Sequence, residues 1–251
     1  ALLVKNAAAG WWDIPGVCMG WVGDLIDGHL HDDQTETSEA PIVTLNWLEP
    51  FLFGRVEQLL GELGAGRELV IVCSPGNHGR DTKKPRTGTY TQHSHEWGFY
   101  QRLGRYFANN PRVTVVTDTA RDQYVDLYRY KLHFTHGDTV KFAGGVGGIT
   151  IPLKKAIPVW DIIEKSDYHH IGHFHQQLDG GEWLANGSGI GYNDYARQIN
   201  ARPEVPQQLF YILDSKRGKT NVCPVWIHDP SSEERLLLTD AQREWEARAA
   251  A

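Results

Sequence analysis

Glu68-Leu69-Val70-Ile71-Val72-Cys73-Ser74-Pro75-Gly76-Asn77-His78 is the stretch from which the rest of this chain is best read. Leu69 to Cys73 is an unbroken apolar run rich in β-branched side chains, the pattern of a strand covered on both faces, and Ser74-Pro75-Gly76 ends it in a turn. Such strands belong to parallel sheets, so a helix and a second strand of the same kind are expected on the N-terminal side. Both are there. Pro41 to Leu63 places Leu45, Leu48, Leu52, Val56, Leu59, Leu60 and Leu63 at helical spacing, closes at Gly64 and Gly66, and carries Pro50 as a bend point. Val17 to Val22 is a short apolar run ending at Gly23-Asp24. Strand, helix, strand, with a ligand-type residue after each strand, opens a sheet with crossover helices.

Towards the C-terminus, Glu96 to Asn109 reads as a second helix and Arg112 to Asp118 as another strand. From Gln123 to Phe134 the pattern alternates, with Tyr128, Tyr130, Leu132 and Phe134 on one face, which predicts antiparallel or one-sided strands. Gly144 to Gly148 reads as a flexible loop, Leu153 to Lys165 as a short helix, and Tyr168 to Ile171 as a strand running into Gly172-His173. Trp183 to Ala185, Gln208 to Leu213 and Val222 to Ile227 read as further strands, and Ser232 to Ala250 as an amphipathic terminal helix. No repeat or interdomain linker stands out. The expectation is one α/β domain over residues 1–251, two packed sheets flanked by helices.

At 251 residues the chain is long enough for a substantial buried core. Its net charge of −6 gives no bulk attraction for nucleic acid or anionic membrane, so a polyanionic ligand has to be held by local charge or by metal. Cys18, Cys73 and Cys223 are odd in number and widely spaced; they read as small apolar residues in a reducing compartment rather than as a zinc cluster or disulfide framework. No apolar run is long enough for a membrane span, and Ala1 to Gly10 lacks the basic start of a signal peptide, so a cytoplasmic location is expected. The start at Ala1 rather than Met reads as a chain entered part-way.

Four patches carry residues that bind divalent metals or move protons: Gly23-Asp24-Leu25-Ile26-Asp27, Gly76-Asn77-His78, His136-Gly137-Asp138 and Gly172-His173-Phe174-His175. Taken singly, each has a plain reading. Asp24 is an ordinary turn residue at a strand end, and Asn and His are common in the turns that follow strands. The His173 and His175 pair says more, because two imidazoles one residue apart reach adjacent metals while Gly172 admits close backbone approach.

In this order the patches resemble the calcineurin-like metallophosphoesterases, whose patterns read Asp-x-His, Gly-Asp-x-x-Asp, Gly-Asn-His-Asp/Glu, a lone His, and Gly-His-x-His. The resemblance runs from Gly23 to about Ser188, and its spelling is similar to the phage-encoded branch, which would place the protein in the host cytoplasm. It implies an α/β fold of two sheets sandwiched between helices. It also implies that Asp24 bridges two metal ions, that Asn77, His136 and His173 complete the second site, and that His175 serves the first. A mixed oxygen and nitrogen set suits Mn²⁺ foremost, then Fe or Zn²⁺. By the same resemblance His78 gives a proton to the leaving oxygen and Asp27 orients it, a plain turn carboxylate being the other reading of Asp27. The activity implied is hydrolysis of a phosphoester by a metal-activated hydroxide, on a diester such as a nucleotide or nucleic acid or on a monoester. The alternative is a non-catalytic or single-metal binding module.

Two departures from the pattern matter. Gly79 stands where the family has an acid, which predicts a looser loop, and Arg80 follows. That guanidinium either faces the phosphate or, with Lys83, Lys84 and Arg86, belongs to a solvated basic loop. The Asp-x-His pattern has no match: Asp13 is the only upstream carboxylate and no His precedes His29. Either the first strand lies upstream of Ala1 or the first metal site is lost, and in both cases one ion is held more tightly than the other. His29, His31, Asp32 and Asp33 read as cleft lining or solvated loop, His93 and His95 as caps or exposed residues. His169 and His170 read as packed or hydrogen-bonded, and Asn186-Gly187-Ser188 as a turn closing the cleft.

Overall fold

The computed structural model describes residues 14–30, 39–142, 147–192, 197 and 202–227. The described residues of 1–125 and 134–136 form one compact unit, and those of 126–133 and 137–251 a second. The class is α/β, as the sequence reading expects, with three sheets among the described residues because the last two strands pair only with each other.

In the first unit β1 (Gly16–Trp21), β2 (Glu68–Cys73) and β3 (Val113–Val116) form a parallel sheet in the order β1-β2-β3. The central place of β2 explains its apolar run: Leu69, Ile71, Val72 and Cys73 are all buried. Pairing puts Trp21 opposite Cys73, and the Ser74 amide adds one more bond to the Trp21 carbonyl at 2.9 Å. Both strands therefore end level, and the turns that follow, one starting at Val22 and the other at Ser74, leave the same edge of the sheet. Parallel sheets place ligand sites at that edge.

Helices α1 (Pro41–Leu63) and α2 (His95–Phe107) cover this sheet. Leu45, Phe53, Val56 and Leu60 of α1 share a core with Phe99, Tyr100, Leu103 and Phe107 of α2 and with Leu69, Ile71 and Cys73 of β2. The Phe53 ring lies 5.5 Å from Phe99 and 6.3 Å from Phe107, within the range where aromatic pairs attract beyond simple burial. Pro41 opens α1 where its missing N–H costs nothing, and two arginines close it. Arg67 donates to the Leu63 carbonyl, and Arg112 to those of Gly64 and Leu60, so cations meet the negative end of the helix dipole. The helix runs through Pro50 without ending. At the start of α2 the Ser94 hydroxyl accepts from the Trp97 amide at 3.2 Å.

The second sheet has the order β4-β5-β6-β8-β7, from β4 (Gln123–Leu127), β5 (Tyr130–Thr135), β6 (Tyr168–Ile171), β7 (Leu178–Asp179) and β8 (Trp183–Ala185). β4 and β5 straddle the division between the units. The alternation expected over Gln123 to Phe134 does not hold. Tyr128 lies in the turn at φ 59°, and Leu132, His133, Phe134 and Thr135 are all buried, so β5 is covered on both faces. The sequence looks alternating because the residues on its second face, His133 and Thr135, are polar yet buried.

In the second unit α3 (Thr150–Ile163) sets Leu153 and Ile157 with Ile149 against Ile171, Phe174, Trp183 and Ala185. β9 (Gln207–Asp214) and β10 (Gly218–Trp226) make an antiparallel hairpin. The terminal helix expected over 232–250 lies outside the described residues, as does most of the 144–148 loop. No described helix is long and apolar enough to cross a membrane. The three cysteines are free, and burial pushes the Cys18 thiol up to about 12.

Candidate metal centre

The turn after β1 carries Asp24 in the left-handed region, at φ 56°, a conformation rare outside glycine that Asp tolerates better than most residues. Beside it runs the turn after β2. A Cβ on Gly76 would lie 2.1 Å from Asp24 Oδ1, and one on Gly23 only 2.2 Å from the Gly76 amide nitrogen. Neither position admits a side chain, which is the physical content of the Gly-Asp and Gly-Asn spellings: two backbones in contact bring Asp24 and Asn77 together.

His136, which follows β5, completes the cluster within the first unit. Its Nδ1 lies 2.6 Å from the Val22 carbonyl oxygen and so carries the proton that this acceptor takes. Its Nε2 lies 3.0 Å from Asp24 Oδ2 and 2.9 Å from Asn77 Oδ1. In the neutral ring Nε2 is a lone pair, so a carboxylate oxygen, an amide oxygen and an imidazole nitrogen face one another, and none of the three carries a hydrogen. A cation among them, either a proton on Nε2 or a metal ion, resolves that arrangement, as does a turn of the Asn77 amide that brings its NH₂ group to Nε2. The donor set fits a divalent ion of borderline softness, and a backbone carbonyl holding the second ring nitrogen is the usual support of a ligating histidine. Burial opposes ionisation of Asp24, but the pull of His136 and then of His78 holds its carboxyl well below the usual carboxylate range.

His78 is built differently. Its backbone amide donates to Asp24 Oδ1 at 3.0 Å, while its side chain turns to Asp27, with Nδ1 2.9 Å from the Asp27 carbonyl oxygen and 3.2 Å from Oδ1. The Nδ1 proton therefore points at Asp27. The imidazole is 34% exposed, so a ligand can reach it. Arg80 donates to the carbonyls of Asn77, Thr82 and Lys83, which ties the guanidinium to its own loop; Lys83, Lys84 and Arg86 are exposed.

His173 and His175 lie in the second unit, in the turn after β6. Both are left-handed, at φ 65° and 53°, with Phe174 buried between them and its amide bonded to the Gly172 carbonyl at 2.7 Å. Among the described residues the other non-glycine positive φ angles belong to Asp24, Tyr128 and Asn221. Tyr128 is a hairpin turn and Asn221 sits at a register shift in β10, while the other three, Asp24, His173 and His175, are expected ligands in the turns that leave β1 and β6. His169 and His170 are hydrogen-bonded as expected: His169 Nδ1 lies 2.9 Å from His133 Nδ1, and His170 bonds the His133 carbonyl and the Tyr211 hydroxyl. His93 pairs with Asp81 at 2.8 Å. Asn186 bonds Gln208 and the Leu209 amide of β9. His31, Asp32, Asp33 and Asp13 lie outside the described residues.

Two residues with no place in the sequence reading support the site. Tyr90 places its hydroxyl 3.1 Å from the Pro75 carbonyl oxygen and 2.8 Å from that of Gly76, with the Arg121 guanidinium 3.8 Å above its ring. Glu96 is fully buried, and its carboxylate accepts from the amides of Leu25, Gly76 and Asp24. Burial, then the charge of Asp24, raises its pKa to about 7. The looser loop expected from Gly79 is therefore corrected: a carboxylate fixes the turns, but it comes from α2. No sequence signal marks it, since an acid in the first turn of a helix reads as an ordinary partner of the dipole.

No protein-family model and no curated protein matches the sequence. Among solved structures the chain is similar to Vps29 from Entamoeba histolytica. Against the wild type in complex with zinc the identity is 17% and the TM-score 0.36, over 84% of this chain and 97% of that one. Against a single mutant the figures are 15% and 0.35, over 85% and 99%. A double mutant gives 14% and 0.36, over 85% and 99%.

Proposed function

We propose that this protein is a divalent-metal-binding module of the metallophosphoesterase type, which takes a phosphoester ligand at an ion held by Asp24, Asn77 and His136. The observation that carries this reading is the meeting of three lone pairs at His136 Nε2, Asp24 Oδ2 and Asn77 Oδ1. His173 is the fourth ligand in this proposal, and His175 belongs to a second, weaker site. Mn²⁺, Fe or Zn²⁺ suits the set. When bound, such an ion supplies positive charge to phosphoryl oxygens and makes bound water more acidic. An anionic ligand also suits the exposed Lys83, Lys84 and Arg86 beside the site, and the Arg80 N–H groups not spent on the loop add to that charge. A nucleotide or a nucleic-acid end has the required chemistry.

A second reading, hydrolysis of that phosphoester, is favoured by the His78 and Asp27 pair. With Nδ1 held on Asp27, the imidazole is oriented and half-exposed, and Nε2 is the atom that would hand a proton to a leaving oxygen. Asp24 Oδ1 fixes the His78 backbone, so the acid and the ligand cluster share one carboxylate. Metal content of the purified chain, followed by assay of bis-p-nitrophenyl phosphate and p-nitrophenyl phosphate with added Mn²⁺, tests both readings. One tightly held ion without turnover is the outcome for the module. Turnover that His78→Ala abolishes while metal is retained establishes the enzyme, and a chain that holds no ion refutes both.

A further inference from the structure

Glu96 spends its whole carboxylate on the two turns that present the expected ligands. Oε1 accepts from the Leu25 amide at 2.6 Å; Oε2 accepts from Gly76 at 2.7 Å and from Asp24 at 3.3 Å. Two of these donors belong to Asp24 and its neighbour, and the third to the residue before Asn77. A buried carboxylate is costly unless such bonds replace its water. The space it occupies is left by Gly79, where a Cβ would lie 2.6 Å from Glu96 Cγ and 2.9 Å from Cδ. Gly79 is not among the positive-φ glycines, so what keeps a side chain out at this position is Glu96 and not the backbone angle.

We propose that Glu96 is a positioning residue of the metal centre: from α2 it fixes the turn after β1 against the turn after β2, so that Asp24 and Asn77 reach the same ion. The inference rests on the metal-binding reading above. Its chemistry is specific to a carboxylate, because three N–H donors converge on two acceptor oxygens. Glutamine in the same place would turn an NH₂ group towards at least one of those amides. A role confined to packing α2 on the sheet would instead tolerate that change. The geometry at Gly79 offers a rescue as well: once the Glu96 side chain is cut back, an acid at position 79 can place its carboxylate in the same space.

The test is calorimetric titration of the metal-free full chain with Mn²⁺, with the melting temperature of each metal-free variant taken alongside. Glu96→Gln and Glu96→Ala should each bind Mn²⁺ more weakly, by about the 10–100-fold typical of lost outer partners, and Gly79→Asp added to Glu96→Ala should regain most of that loss. Glu96→Gln keeps the volume of the side chain, and its affinity decides the matter if Glu96→Ala does not fold. Wild-type affinity in a folded Glu96→Gln would overturn the positioning role while leaving the metal site intact, and so would a double variant as weak as Glu96→Ala. Absence of Mn²⁺ binding in the wild type would instead overturn the metal site itself, and this inference with it.

Discussion

His136 in the first unit and His169 in the second are equally buried, yet they and their neighbours differ in what faces what. His170 Nδ1 donates to the His133 carbonyl at 3.0 Å and Nε2 meets the Tyr211 hydroxyl at 2.9 Å, a donor and an acceptor for one neutral ring. His169 sets Nδ1 against His133 Nδ1 and Nε2 at 3.5 Å from Asp161, again one of each. Burial above all lowers the pKa of His169 to about 4 and of His170 to about 3, which is the behaviour of rings kept neutral. At His136 the Val22 carbonyl takes the ring proton, and the remaining nitrogen faces two more acceptors. Burial does not separate His136 from His169. An excess of lone pairs over protons does, and a cation resolves that excess.

The largest effect that can break this contrast is on metal binding. His136→Ala should lower Mn²⁺ affinity by well over the roughly 100-fold upper range of outer-partner changes, because it removes a ligand outright. His169→Ala should leave Mn²⁺ affinity unchanged and cost about 1–3 kcal/mol of stability from loss of the buried bond to His133. Equal losses of metal in the two variants, read by calorimetry, would erase the distinction.

Acid should expose the second cluster first. His169 and His170 bind protons more readily in the unfolded chain, where their pKa is near 6.5, than in the folded one. Their contribution to stability is thus full above about 6.5 and is lost as the pH falls towards 4 for His169 and towards 3 for His170. The unfolding free energy from urea titrations should drop by several kcal/mol across that window, and His170→Gln should flatten the slope. The Asp24 carboxyl, held low in the folded state, contributes above its ordinary value of 3.8 and is lost only below it. A flat profile between 6.5 and 4 would contradict the neutral assignment of the second cluster.

Smaller effects separate parts of the first unit. If the protein hydrolyses phosphoesters, Asp27→Asn should leave Mn²⁺ binding intact and lower turnover on bis-p-nitrophenyl phosphate by about tenfold, since it disturbs the orientation of His78 and not a ligand. Ser94→Ala removes the cap of α2 and should cost about 1 kcal/mol in thermal unfolding, the smallest change here. Because Glu96 lies two residues beyond Ser94, a loss much larger than that would mean that the cap also holds the carboxylate in place.

Much of this was legible in the chain. The bounds of α1, β2, β6 and β8 follow from apolar runs punctuated by Gly and Pro, and Asp24, Asn77, His136 and His78 stand out by their joint order along the chain, since each taken singly is ordinary in a turn. β5 was misread because His133 and Thr135 are polar yet buried, and the bond from His133 to His169, 36 residues away, leaves no local pattern. Glu96 and Tyr90 were invisible for the same reason, their partners lying 14 to 72 residues away. Arg80 was legible as a charge but not as a brace, since a guanidinium bonding its own loop spells no motif.

The central claim, that the lone pairs of Asp24, Asn77 and His136 mark a cation site, is tested most directly by anomalous scattering at the zinc edge from crystals grown with one equivalent of Zn²⁺. The account predicts one strong peak about 2.0–2.2 Å from Asp24 Oδ2, Asn77 Oδ1 and His136 Nε2. A map with no peak there, or with its strongest peak between His133 and His169, would contradict it.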